Sequence, residues 1–173
     1  MWGYTVSVPW SPSCGAGWVA DDLSGKCYYY SLDAKTWSDA RNLCKKMNSD
    51  LMSIESKYEQ SFLQGMLRAD TSGALAYWTG GNDIDSEQGW KWTDRSPFKY
   101  FNWNTGEPNS NGDEDCIEVV QLTGQWNDNN CGALRNFICE RKNKNAAAIP
   151  GAFTSTPLPS SKLIGDSCNT SHT

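Results

Sequence analysis

Apolar residues recur at helical spacing twice in the first half of the chain, and the pattern then breaks. Trp37, Ala40, Cys44 and Met47 fall on one helical face. Thr36 stands before them as an N-cap, with Asp39 in the first turn. Ser56 with Glu59 makes a capping box for a second helix, whose apolar stripe is Phe62, Leu63, Met66 and Leu67. A short strand over residues 51–54 is predicted between the helices, and Tyr28, Tyr29 and Tyr30 read as a strand of alternating exposure. After Asp70 the helical period is lost. Short β-like runs follow at 76–79, 90–92, 117–120 and 136–140. A helical first half and a strand-rich second half predict an α+β fold.

Residues 80–115 form a long stretch rich in Gly, Asn, Asp, Ser and Pro. Stretches of this kind inside a compact domain are functional or disordered. The aromatic anchors Trp78, Trp90, Trp92, Trp103 and Trp126 argue against disorder, and we read them as core and interloop packing. From Lys142 the composition turns to Ala, Pro, Ser and Thr without periodicity, which is linker rather than core. The expected organisation is an N-terminal extension over 1–13, a domain over 14–141 and a linker or tail over 142–173. Residues 1–10 lack the basic and apolar regions of a signal peptide, so the chain reads as an excised module. No apolar run approaches the roughly 18 residues that span a bilayer, so no membrane contact is expected of this segment.

Charge and cysteine usage narrow the chemistry. The net charge of −5 excludes a nucleic-acid partner, which needs a basic face. The acids cluster at Asp83, Asp85, Glu87, Glu107, Asp113, Glu114, Asp115 and Asp128, and clustered acids repel unless a cation sits among them. The seven cysteines are Cys14, Cys27, Cys44, Cys116, Cys131, Cys139 and Cys168. None forms a CxxC, and the single histidine, His172, lies in the tail, so zinc is disfavoured. Disulfides in an oxidising, extracellular compartment are expected, in pairings that spacing alone leaves open. Cys168 lies outside the apparent core and is a candidate for pairing with another module or chain. Asn169-Thr170-Ser171 in the tail matches the N-glycosylation pattern.

Within that acidic half, Glu107-Pro108-Asn109 and Trp126-Asn127-Asp128 each offer a carboxylate and a carboxamide, with Glu114 between them. Cys116 and Cys131 are placed to tie the two segments together. Calcium takes about six to eight oxygen ligands of these kinds, and a cage with open positions admits hydroxyls of a bound molecule. The pattern reads as calcium-dependent sugar binding.

Taken in order, the cysteines, the two helices, Trp78-Thr79-Gly80, Glu107-Pro108-Asn109 and Trp126-Asn127-Asp128 resemble the C-type lectin-like domain over about residues 14–141. The resemblance implies disulfides Cys14–Cys27, Cys44–Cys139 and Cys116–Cys131, and a cis peptide bond before Pro108. It implies a principal calcium site at Glu107, Asn109, Glu114, Asn127 and Asp128, the last also through its main-chain carbonyl. It implies an auxiliary site at Asp83, Glu87, Glu114 and Asp115. In the family Glu-Pro-Asn goes with mannose, fucose, glucose and N-acetylglucosamine, and Gln-Pro-Asp with galactose. The implied partners are mannose-type glycans and glycoproteins, in glycoprotein or pathogen-surface recognition of the innate-immunity kind. The run Trp90-Lys91-Trp92-Thr93-Asp94-Arg95-Ser96-Pro97-Phe98, then Asn102-Trp103, resembles modules of the macrophage mannose-receptor family. Two departures stand out. Ser110 replaces a second Asn common in mannose-type members, which weakens the auxiliary site. Thr79 and Gly81 depart from the usual Trp-Ile-Gly-Leu run, which touches packing.

Two rival functions remain. A C-type lectin-like module that binds protein or ice without sugar would show a broken ligand set, whereas here the five principal positions are intact. An enzyme finds no support, because the paired carboxylates suit metal ligation and no core His serves a nucleophile.

Overall fold

The structure is a computed structural model that describes residues 14–85 and 89–144. Ten elements follow in chain order: β1 (Val19–Asp21), β2 (Lys26–Tyr30), α1 (Trp37–Lys46), β3 (Asp50–Leu51), α2 (Lys57–Ala69), β4 (Ala76–Asn82), β5 (Lys91–Trp92), β6 (Cys116–Val120), β7 (Trp126–Asn129) and β8 (Asn136–Lys142). Both predicted helices form with their predicted caps. Asp39 N donates to Thr36 Oγ1 at 3.3 Å, and Glu59 N donates to Ser56 Oγ at 3.2 Å. Lys45 and Lys46 close α1 where basic residues favour the helix C-terminus.

The strands lie in the order β1-β2-β8-β4-β6-β7, with β3 also on β8 and β5 also on β4. Pairing is antiparallel except between β4 and β8, which meet in parallel through Tyr77 with Asn136 and Trp78 with Phe137. Helix α2 supplies Leu63, Met66 and Leu67 to a core with Tyr28, Met52, Ile54, Tyr77, Ile117 and Trp126. Helix α1 supplies Trp37, Ala40 and Cys44 to a second core with Leu51, Trp78, Phe137 and Cys139. Full burial of one such apolar side chain stabilises by about 1.5–3 kcal/mol.

Disulfides Cys14–Cys27, Cys44–Cys139 and Cys116–Cys131 anchor the N-terminal segment to β2, α1 to β8, and β6 to the segment after β7. The two ends of the described chain meet, since Arg141 Nη2 donates to Cys14 O at 2.8 Å and Asn143 N to Gly25 O at 2.7 Å.

The strands differ from expectation in several places. The strand predicted over 51–54 shrinks to Asp50–Leu51, because Met52 divides its hydrogen bonds: its N donates to Ile138 O while its O accepts from Gly80 N, both at 2.8 Å. Strand β4 runs through Gly80 and Gly81, where a loop was expected, and all seven of its residues are buried. Tyr28 through Tyr30 do not alternate cleanly. Tyr28 packs on Phe62 and Tyr29 on Trp18, so both faces of β2 are covered. Strand β7 was read only as a ligand segment, and β8 runs on from the expected 136–140 to Lys142.

One charged group is built into the layer beside α2. Lys26 Nζ lies 2.6 Å from Glu59, 3.3 Å from Glu140 and 3.6 Å from Glu55. Burial, then the nearby Asp94, pushes the Glu140 carboxyl up to about 7 against the opposing pull of Lys26. Lys26, Glu55, Asp94 and Glu140 border a mixed-charge cleft of about 410 Å³.

Candidate functional site

The site is built where the long loop closes onto β7. Trp126 is fully buried and its Nε1 donates to Gln60 Oε1 of α2 at 2.8 Å. Trp92, Tyr100 and Trp103 pack edge-on around its ring, with centroids 5.5, 5.8 and 5.7 Å away. Edge-to-face packing of this kind adds to the stabilisation from burial alone. On that platform the loop zips to the strand: Trp126 N donates to Asn102 O and Asn104 N to Trp126 O, both at 2.8 Å. Glu107 N then turns back to Asn104 O at 3.0 Å, which sets the direction of the Glu107-Pro108-Asn109 segment. The Glu107–Pro108 peptide is cis.

Strand alternation places Asp128 on the buried face of β7, beside Ile117 of β6, and Asn127 on the opposite face, beside Glu118. The Asp128 carboxylate accepts Asn109 N at 3.2 Å through Oδ1 and Ser110 N at 2.7 Å through Oδ2. Hydrogen bonds to a carboxylate are stronger than those between neutral groups, so this clamp positions the loop. Asn109 Nδ2 donates to Glu107 Oε2 at 2.5 Å, and Asn109 Oδ1 accepts Asn111 N at 2.8 Å. The same Asn111 N lies 3.1 Å from Glu114 Oε2. Asn127 Nδ2 donates to the Asp128 carbonyl at 2.7 Å. A continuous chain of contacts thus runs through Glu107, Asn109, Glu114, Asn127 and Asp128.

The electrostatics of this corner are one-sided. Burial, then the facing Asp128 carboxylate, pushes the Glu107 carboxyl above its ordinary range. Among the described residues no Lys or Arg forms an ion pair with Glu107, Glu114 or Asp128. No three His, Cys, Asp or Glu side chains there would hold a metal by themselves, so any ion must also draw on amide and carbonyl oxygens. The donor set present is of that composition and suits a hard cation.

The auxiliary group is only partly visible. Asp83 N donates to Asp115 O at 3.1 Å, which brings these two acids together. Asp83 Oδ1 is buried without a hydrogen-bond partner, and its carboxyl is pushed up by burial, then by Asp115 and Asp128. An orphaned buried carboxylate oxygen among like charges is what a bound cation would satisfy. Glu87 lies outside the described residues. Ser110 takes up a positive φ of 48° and contributes its main-chain N–H to Asp128.

Glu118 escaped sequence reasoning. It is buried, accepts Arg135 Nε at 2.6 Å and receives Asn127 Nδ2 at 3.1 Å, so it orients the Asn127 amide. The signal was an acid inside the otherwise apolar run Ile117–Val120, which an alternating strand turns to one face. Gln60, which holds the Trp126 indole, gave no local signal.

A family model, the lectin C-type domain, matches residues 33–141. The chain therefore belongs to the C-type lectin domain family, and fold and disulfides agree with that membership. Rat C-type mannose receptor 2 is 33% identical over 151 residues, covering 86% of this chain and 10% of the receptor. The chain thus spans about a tenth of the length of the mannose receptors it matches. The cow CD23 carbohydrate-recognition domain, solved in the presence of a GlcNAc2Man3 oligosaccharide, is 37% identical with a TM-score of 0.66, covering 75% of this chain and 95% of that one. A calcium-independent type II antifreeze protein is 28% identical with a TM-score of 0.66, over 75% of this chain and 94% of that one. The shared fold thus serves both carbohydrate recognition and calcium-independent functions. No helix among the described residues is long and apolar enough to cross a membrane.

Proposed function

We propose that this domain binds calcium through Glu107, Asn109, Glu114, Asn127 and Asp128 and, at that site, mannose-type sugars of glycans and glycoproteins. The observation that carries the reading is the contact chain linking these five residues, acidic and without a basic partner among the described residues. A bound calcium would supply the missing positive charge and open positions for a pair of sugar hydroxyls. The protein's part is to set donors and acceptors around those hydroxyls. Glu107 accepts a hydroxyl proton, and the Asn109 amide donates to a hydroxyl oxygen. Exchanging acid and amide between the two positions reverses that order and selects a different hydroxyl stereochemistry. A single shallow site of this kind is weak, so repeated domains would supply avidity.

Asp83, Glu87, Glu114 and Asp115 form the proposed auxiliary calcium site. The orphaned Asp83 oxygen supports it, and Ser110 provides no carboxamide there. We place the domain in an extracellular setting, which the three disulfides support. Within a longer receptor-like chain, residues 142–173 would be the linker and Cys168 would pair with a neighbouring module or chain; Cys168 lies outside the described residues.

Retention on mannose–agarose in millimolar-range calcium, with release by a chelator, tests the reading. Absence of retention would leave the alternative, a module that binds protein without sugar; the calcium-independent antifreeze protein is an example of this fold working without calcium.

A further inference from the structure

Asn111-Gly112 is the chain's single Asn-Gly pair, and it lies in the loop between Asn109 and Glu114. Both residues are exposed. Gly112 has φ +93°, and no atom lies within 4 Å of where a Cβ would stand. Among the described residues its N–H donates no hydrogen bond, and none holds the Asn111 carboxamide. The nucleophilic nitrogen and the side-chain carbonyl carbon it would attack are therefore both unanchored and unscreened.

We propose that Asn111-Gly112 is a spontaneous deamidation site that disables the calcium loop as the protein ages. The consequence for ligand binding rests on the function proposed above. The Gly112 amide nitrogen bonds to Asn111 Cγ, the Cγ–Nδ2 bond breaks, and ammonia leaves, carrying off a proton from the Gly112 N–H. The five-membered succinimide then takes up one water and opens to aspartate or isoaspartate. The balance is one water in and one ammonia out, with no change of oxidation state. Isoaspartate routes the main chain through the former side chain and lengthens it by one atom between Asn109 and Glu114. Asn111 N joins these two ligands, at 2.8 Å and 3.1 Å. The new carboxylate also adds a negative charge beside Asp113, Glu114 and Asp115.

The test incubates the full chain for days at mildly alkaline pH, with chelator or with calcium, beside a reduced, denatured control. Peptide mass mapping follows each asparagine, and mannose–agarose retention is read over time. Position 111 is expected to convert first, several-fold more slowly with calcium, and converted chains should be lost from the retained fraction. Asn111→Gln should keep its retention throughout. If the native chain keeps its amide at position 111 while the denatured control loses it, the proposal is overturned. If Asn111→Gln loses retention as fast as the original chain, the functional consequence is overturned. Conversion at 111 that calcium does not slow would count against the calcium site while the modification stands.

Discussion

Asp128 holds two loop amides at once, so its loss acts on the loop before it acts on any ligand. Asp128→Asn should speed hydrogen exchange at the Asn109 and Ser110 amides in chelator by about tenfold or more, the scale of one lost charged hydrogen bond. Unchanged exchange there would mean that the clamp does not order the loop. The pair Glu107→Gln with Asn109→Asp should shift preference from mannose toward galactose in competition for the column, because donor and acceptor change places. Preference that stays with mannose would show that another contact selects the sugar. Glu140 belongs at this scale too. Its folded value of about 7 lies above the ordinary 4.5, so the folded state holds the proton more tightly than the unfolded chain. Its stabilising contribution is full below about pH 4.5 and is lost as pH rises through about 7. In chelator, the melting temperature of the original chain should therefore fall more between these values than that of Glu140→Gln. Parallel curves would contradict a buried neutral carboxyl.

At the level of elements, β4 and β6 show how a departure from the family run is absorbed. A Cβ at Gly81 would stand 2.4 Å from Ile117 Cδ1, so the Ile117 side chain fills the space a larger residue would take. Thr79 Oγ1 donates to Ile117 O at 3.0 Å and satisfies the hydroxyl within the sheet. Gly81→Ala should cost about 1–3 kcal/mol as overpacking. Adding Ile117→Val should recover part of it, read from denaturant midpoints. A purely additive pair would show that the strands adjust elsewhere. The same region explains what could be read in advance. The helices were legible because caps and apolar stripe are local: Thr36, Ser56 and the residues after them carry the whole signal. The proposed calcium ligands could be named in advance because their chemical types are unusual together. Strand β7 was read only for its ligands, because Asn127, Asp128 and Asn129 are polar and only the pairing with β6 makes them a strand. Glu118 and Gln60 matter through partners far along the chain, Arg135 and Trp126, and no local pattern announces such contacts. The two glycines of β4 look like a turn until the Leu51 and Met52 carbonyls are found pressed against Gly80.

For the whole molecule, an ion bound only by the folded state raises stability by mass action. Calcium at about a hundredfold above its dissociation constant should contribute about 2.7 kcal/mol. The melting temperature should rise with calcium and fall back on chelation, and Glu107→Gln should blunt that response. A melting temperature indifferent to calcium would remove the site. The sheet order adds a geometric consequence. Strand β7, which carries Asn127 and Asp128, lies at the far edge from β1, while Cys14 and Asn143 sit together beside β2 and β8. With both ends of the described chain held on one side, the corner formed by Asn127 and Asp128 stands away from them like a lamp on a bracket. Copies threaded on one string could all turn that corner to the same target, and lengthening the string between them would change spacing without altering any single grip.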